Sequence, residues 1–236
     1  MTATAGVTQR AYFGAGIPDI DLSSLRGRLI VIEGPDSAGR STQIRLLRDW
    51  LERRGYASAQ TGLKRSRLVG KKLQDVMQGY SLGPLTFSLY YATDLADQIE
   101  NVIVPALAAD FIVLADRYVY TPIARDVVRG VDISWIEGIF GFAIVPDVVL
   151  YLDVKPEVLA ERVLGNLHYL DYWESGMDIH RDGDMYASFI SYQQQIREQF
   201  LAMAPNKGFH IIDGDRDAEV VFQELKDTVE STIDLP

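Results

Sequence analysis

A chain of 236 residues, 47% apolar and 24% charged, is long enough for one α/β domain with a substantial core. Its formal net charge of −10 argues against non-specific binding to nucleic acid or to an anionic membrane, while leaving room for a local basic pocket that takes a small anion. The lack of cysteine excludes disulfides, thiolate metal sites and cysteine nucleophiles, and neither a run of ~18 apolar residues nor a secretory leader is legible, so a cytoplasmic address is expected.

Residues 1–27 carry Gly6, Gly14, Gly16 and Gly27 without a sustained period and read as an extension before the domain. Arg28 to Glu33 is a continuous apolar, β-branched run that predicts a strand buried on both faces. Directly after it comes Gly34-Pro35-Asp36-Ser37-Ala38-Gly39-Arg40-Ser41-Thr42, which has the spacing of a phosphate-binding loop with Arg40 where Lys is usual. In such a loop two glycines let successive N–H groups turn inward, and the helix that follows adds its positive end. Ser41 would offer a hydroxyl to Mg²⁺, and Arg40 would bring charge to the transferring phosphoryl.

The helix expected next, Thr42 to Arg54, keeps Ile44, Leu47 and Leu51 on one face and stops at Gly55. Tyr56 to Thr61 reads as a short second strand, and it leads into Lys64, Arg65, Arg67, Lys71 and Lys72. That basic cluster fits an anionic substrate and a solvated helix face equally well. A long helix from Pro84 to about Ala109 follows, with its end bent at Pro105. Phe111 to Ala115 is a third strand, delivering Asp116-Arg117-Tyr118 at its carboxyl end, where open α/β sheets bind ligands. The periodicity then predicts a helix over Ser134 to Ile144, a strand over Val148 to Val154 and a helix over Glu157 to Leu164. Residues 166–184 break the pattern with aromatic, acidic and glycine residues, and a loop of that length is usually functional. A helix from Tyr186 to Met203, a strand from Phe209 to Ile212 and a helix from Ala218 to Val229 complete the alternation.

Taken together, Ile32-Glu33-Gly34-Pro35-Asp36, Ser41-Thr42-Gln43, Val102 to Leu107, Asp116-Arg117-Tyr118, Pro146 to Asp153 and Ile196-Arg197-Glu198 make the chain similar to the thymidylate kinase family of nucleoside monophosphate kinases, over about residues 28–233. The resemblance implies a P-loop NTPase-type α/β fold, a three-layer sandwich whose mostly parallel five-stranded sheet is flanked by helices, with the domain at 28–236 and a mobile lid at about 165–186. It implies transfer of the ATP γ-phosphoryl to a nucleoside monophosphate, dTMP above all, with Mg²⁺, in a homodimer. Gly34, Ser37, Ala38, Gly39, Arg40, Ser41 and Thr42 would hold the ATP phosphates, and Ser41 and Asp116 the metal. Asp36 would contact the acceptor sugar, Tyr91 its base, and Arg117 the phosphates.

The departures fall mainly on the acceptor side. Where the family places an Arg four residues after the stacking aromatic, this chain has Leu95, and where it has Ala-Tyr-Gln after Asp-Arg-Tyr the chain reads Ala124-Arg125-Asp126. Arg125, Lys64 or Arg65 would then supply the missing phosphate clamp. Between Val163 and Ile196 the only cation is Arg181, which is expected to be the lid's contact with the phosphates. Two further readings stay open on the sequence: a nucleotide-binding protein with weakened transfer, and a kinase for a different phosphorylated acceptor.

Overall fold

The computed structural model describes residues 10–78, 83–179 and 184–235. Five strands, β1 (Arg28–Glu33), β2 (Ser58–Gly62), β3 (Ile112–Asp116), β4 (Val148–Asp153) and β5 (Phe209–Asp213), form one sheet in the order β2-β3-β1-β4-β5. Every pairing is parallel. A parallel sheet needs crossover helices over its faces, and β1, β3 and β4 are accordingly apolar runs buried almost throughout. On one face α1 (Arg40–Arg53), α7 (Pro156–Leu167) and α9 (Ala218–Thr232) pack Leu47, Leu51, Leu159, Phe222 and Leu225 against Ile30, Ile32 and Leu150. On the other, α3 (Pro84–Gln98), α5 (Tyr120–Val128), α6 (Ile133–Ile139) and α8 (Met185–Lys207) pack Tyr91, Tyr120, Ile136 and Phe200 against Val31, Val113 and Tyr151.

The register places the functional end. Ile32 pairs with Asp116 in β3 and with Leu150 in β4, and Gly62 pairs with the same Asp116. The carboxyl ends of β1, β2 and β3 therefore finish level, and the loops that leave them converge.

Four elements differ from the sequence expectation. The helix expected over Pro84 to Ala109 is not continuous: α3 ends at Gln98, one wide turn covers Ile99–Ile103, and α4 (Val104–Ala108) continues. Pro105 has no N–H to offer the preceding turn, and Val104 instead reaches back five residues to the Ile99 carbonyl. The helix expected to run to Ile144 stops at Ile139, because the chain beyond it pairs with the N-terminal segment. Phe13 donates to the Ala143 carbonyl at 2.9 Å, and Gly14 and Gly16 donate to Gly141 at 2.9 and 3.1 Å. A Cβ on Gly14 would lie 2.9 Å from the Gly141 Cα, so this approach requires glycine. Two helices, α2 (Gly70–Gln78) and α5, had no clear sequence signal.

The N-terminal segment is thus tied down from residue 10. Arg10 donates to the Gly27 carbonyl at 2.8 Å and pairs with Asp147 at 3.1 Å, while Asp147 accepts the Leu29 N–H at 2.7 Å. Phe13, Ile17, Ile20 and Leu22 pack on the core beneath. Among the described residues no helix is long and apolar enough to cross a membrane.

Candidate active site

The site grows from the turn that leaves β1. Gly34 sits at φ +149°, Ser37 at +64° and Gly39 at +96°, which bends residues 34–39 into a cradle before α1 begins at Arg40. At the cap position Gly39, no side chain bonds the first turn of α1, so its N–H groups stay directed into the cradle. Ser41 and Thr42 lie in that first turn.

Arg40 folds back over the loop instead of extending from it. Its Nε donates to Asp116 Oδ1 at 2.8 Å, its Nη1 to the carbonyls of Gly34 (2.6 Å) and Pro35, and its Nη2 to Asp36 Oδ1 at 3.2 Å. Its side chain is 10% exposed. A lysine has no planar fork with which to grip two carboxylates and two carbonyls together, so the Arg at this position fastens the cradle to β3 as well as charging it.

Asp116 ends β3 with Arg40 on one carboxylate oxygen and Arg65 on the other, at 2.8 and 3.1 Å. Arg117 follows in the left-handed region, φ +67°. That kink is held from below by Glu33, which sequence reading passed over as part of a strand. The Glu33 carboxylate accepts the Tyr118 N–H at 2.8 Å and the Thr121 hydroxyl at 2.6 Å, while the Arg117 N–H reaches the Ile32 carbonyl at 3.0 Å. Burial pushes the Glu33 carboxyl up to about 7, although both donors act to lower it.

So directed, the Arg117 guanidinium donates to the Gly34 carbonyl at 3.2 Å and pairs with Asp36 at 3.0 Å. Desolvation opposes ionisation of Asp36, but Arg117 and Arg40 outweigh it and hold the carboxyl well below the usual range. Asp36 keeps 44% of its side-chain exposure, the access that a ligand contact needs.

The loop after β2 is positioned by α3. Asp94, buried, accepts the N–H groups of Lys64 (2.7 Å) and Ser66 (3.0 Å), and Gln98 donates to it at 2.9 Å while also accepting the Gly62 N–H. These bonds set Lys64 at φ +65° and carry Arg65 to Asp116. Neither Asp94 nor Gln98 stands out in the sequence, because both lie on what reads as a helix face.

On the acceptor side, Tyr91 is buried and meets Phe87 edge-on at 5.0 Å. Leu95 lies one turn on, 2% exposed within the apolar core, and offers no charge. Arg125, only 8% exposed in its side chain, stands near both Tyr91 and Asp36: its Nη1 bonds the Tyr91 hydroxyl at 3.3 Å and its Nη2 lies 3.9 Å from Asp36. The same Nη2 donates to Glu174 in the connection after α7. Burial raises the Glu174 carboxyl, with Arg125 pulling the other way and the nearby Asp36 charge adding to the rise. Arg181 lies outside the described residues. Among those described, no cluster of three His, Asp or Glu side chains is placed to hold a metal ion.

Two cavities flank this centre. One, enclosed by Gly34, Arg117, Thr121, Arg125, Glu174 and Tyr192, holds about 10 Å³. The other is an open cleft of about 370 Å³ at the carboxyl ends of β4 and β5, bordered by Asp153, Lys155, Arg197, Asp213 and Asp215. There Arg197 grips Asp153 with two bonds of 2.6 and 2.8 Å.

Comparison with known proteins points to one family. The family model described as thymidylate kinase matches residues 32–225. A "probable thymidylate kinase 2" of Saccharolobus solfataricus is 36% identical over 211 residues, covering 89% of this chain and 99% of its own. A "probable thymidylate kinase" of Thermococcus gammatolerans is 28% identical, covering 88% of this chain and 98% of its own. The "thymidylate kinase" of Carboxydothermus hydrogenoformans is 28% identical, with 87% and 98% covered.

Proposed function

This chain belongs to the thymidylate kinase family, and from that premise we propose how its own residues carry out ATP-dependent phosphorylation of dTMP. The reaction passes the γ-phosphoryl of ATP to an oxygen of the dTMP phosphate, leaving ADP and dTDP. Phosphoryl transfer asks a protein for alignment and for charge at the transferring group more than for covalent chemistry. The single observation that carries the reading is the convergence of Arg40, Arg117 and Arg125 on Asp36, directly beside a backbone cradle that opens a helix.

The cradle from Gly34 to Thr42 takes the ATP phosphates, and the 370 Å³ cleft beside β4 and β5 receives the rest of that nucleotide. Arg40 and Arg117 stabilise charge that builds on the transferring group, once Arg40 exchanges its carbonyl contacts for phosphate oxygens. Asp36 accepts a hydrogen bond from the acceptor sugar, the Tyr91 region packs the base, and Arg125 replaces the cation that Leu95 lacks. Lys64, in the loop that Asp94 holds after β2, is a second candidate cation for the acceptor phosphate. The Ser41 hydroxyl and the Asp116 carboxylate form the kind of sparse oxygen set that suits Mg²⁺, which is held mostly by water and phosphate. Bound there, the ion would neutralise phosphate charge. A cytoplasmic homodimer is also inferred, and Leu85 and Leu89, exposed one turn apart on α3, support the dimer as an apolar patch. Sedimentation velocity tests it.

The test of the activity is a panel of nucleoside monophosphates with ATP and Mg²⁺, followed by product chromatography. dTMP is expected to give the highest kcat/KM, and Arg125→Ala to lower that value at least tenfold. Turnover of no monophosphate, or a preference for a non-thymidine acceptor, would overturn the reading.

A further inference from the structure

The acceptor side of this structure is closed by the chain itself. Arg125 is the buried cation nearest Tyr91, and its outward nitrogen is taken by Glu174. The space left among Glu174, Arg117 and Arg125 is about 10 Å³, whereas a pocket for a nucleotide-sized ligand needs on the order of 300 Å³. Beside the carboxylate, the Trp173 indole stacks on Phe87 at 5.3 Å and 15°. An aromatic plane and an anion, adjacent in sequence, thus lie where an acceptor's base and phosphate are expected.

The segment that delivers them is shaped for the purpose. Asp171 accepts the N–H groups of Trp173 (2.9 Å) and Glu174 (3.1 Å), making a tight turn. From α8, Gln193 donates to the Glu174 carbonyl at 2.7 Å and Ser188 to the Ser175 carbonyl at 2.6 Å. These bonds hold the backbone, while the carboxylate itself meets Arg125, its neighbour Asp36 and, at 3.5 Å, the Gln193 amide. Two acidic groups side by side are tolerable because guanidiniums surround them and the two carboxyls share a hydrogen bond. An arriving phosphate can take over the charge that Glu174 presents to Arg125, so one anion is exchanged for another with little net loss of pairing.

We propose that Trp173 and Glu174 are an internal stand-in for the acceptor nucleotide, and that binding of the monophosphate expels the Glu174 carboxylate from Arg125 and the indole from Phe87. The proposal rests on the reading of Arg125 as the acceptor clamp. It makes the resting protein self-occupied, with an acceptor affinity reduced by the competition of its own side chains.

Calorimetric titration of the full chain with dTMP, in the wild type and in Glu174→Gln, tests it. The glutamine keeps the size and removes the competing charge, so dTMP is expected to bind at least tenfold more tightly to the variant. Equal or weaker binding would mean that Glu174 is a bystander or itself a dTMP contact. Hydrogen exchange on the wild type gives a second reading that needs no variant. Amides of residues 171–177 are expected to exchange faster once dTMP saturates the protein, and added protection there would overturn the proposal. If dTMP is phosphorylated yet its affinity is unmoved by Glu174→Gln, the stand-in falls while the kinase reading stands. If neither protein binds dTMP, both fall.

Discussion

At the scale of single residues, the loops of the site are held by side chains that never need to touch a ligand. Glu33 is the clearest of these, since a carboxyl at the end of a buried strand is costly unless it is neutral or well bonded. Its ordinary value of 4.5 is raised to about 7 by burial. The folded chain therefore keeps this proton where the unfolded chain has lost it. The Glu33 contribution to stability is complete below about pH 4.5 and is lost as the pH climbs to about 7. Relative to Glu33→Gln, the wild type is expected to lose roughly 3 kcal/mol over that window, as measured by urea midpoints at its two ends. Parallel midpoints for the two proteins would show that the carboxyl is ionised throughout. The sequence exposes the cradle, Asp116 and Arg117, because these stand at fixed spacing around glycines and strand ends, and the resemblance to the family exposes Leu95 at the clamp position. It hides Glu33, Asp94 and Glu174, because Thr121 lies 88 residues from the first, Ser66 28 from the second and Arg125 49 from the third, distances that only the fold closes.

At the scale of elements, α5 governs the segment that covers the site. One turn after Arg125, Arg129 forks onto Asp178 with bonds of 2.7 and 3.1 Å and donates to the Tyr192 hydroxyl at 2.6 Å. Its guanidinium lies over the Tyr192 ring at 5.1 Å and over Trp173 at 6.0 Å. Arg125 within α5 and Arg129 at its cap thus fasten residues 174 and 178 of the covering segment. Arg129→Ala is expected to raise amide exchange of residues 173–179 at least tenfold while β1, β3 and β4 keep their protection. Arg129→Lys should not restore it, because an ammonium lacks the paired geometry. Loss of protection in the strands as well would show that the pair supports the whole fold. This helix was not legible from periodicity, since Pro122 stands in its first turn and β-branched residues close it. Strands β1, β3 and β4 were legible, because continuous apolar runs have few other uses.

At the scale of the whole molecule, the sheet has two ends with different duties. The amino ends of the strands are tied by Arg10, Asp147 and the Arg28 bond to the Asp234 carbonyl at 2.9 Å. The carboxyl ends carry Arg40, Arg65, Arg117 and Arg125, each already facing Asp36, Asp116 or Glu174. That mutual neutralisation also bears on how fast substrates arrive. A cluster of unpaired arginines would draw nucleotides inward, but here the nearby acids cancel most of that field at a distance. What an approaching phosphate meets first is the envelope of a molecule with net charge −10. Added salt shrinks the repulsion, the screening length falling from about 30 Å at 0.01 M to about 8 Å at 0.15 M. Stopped-flow association of dTMP is therefore expected to speed up severalfold as sodium chloride is raised over that range, whereas electrostatic steering would make it slow down.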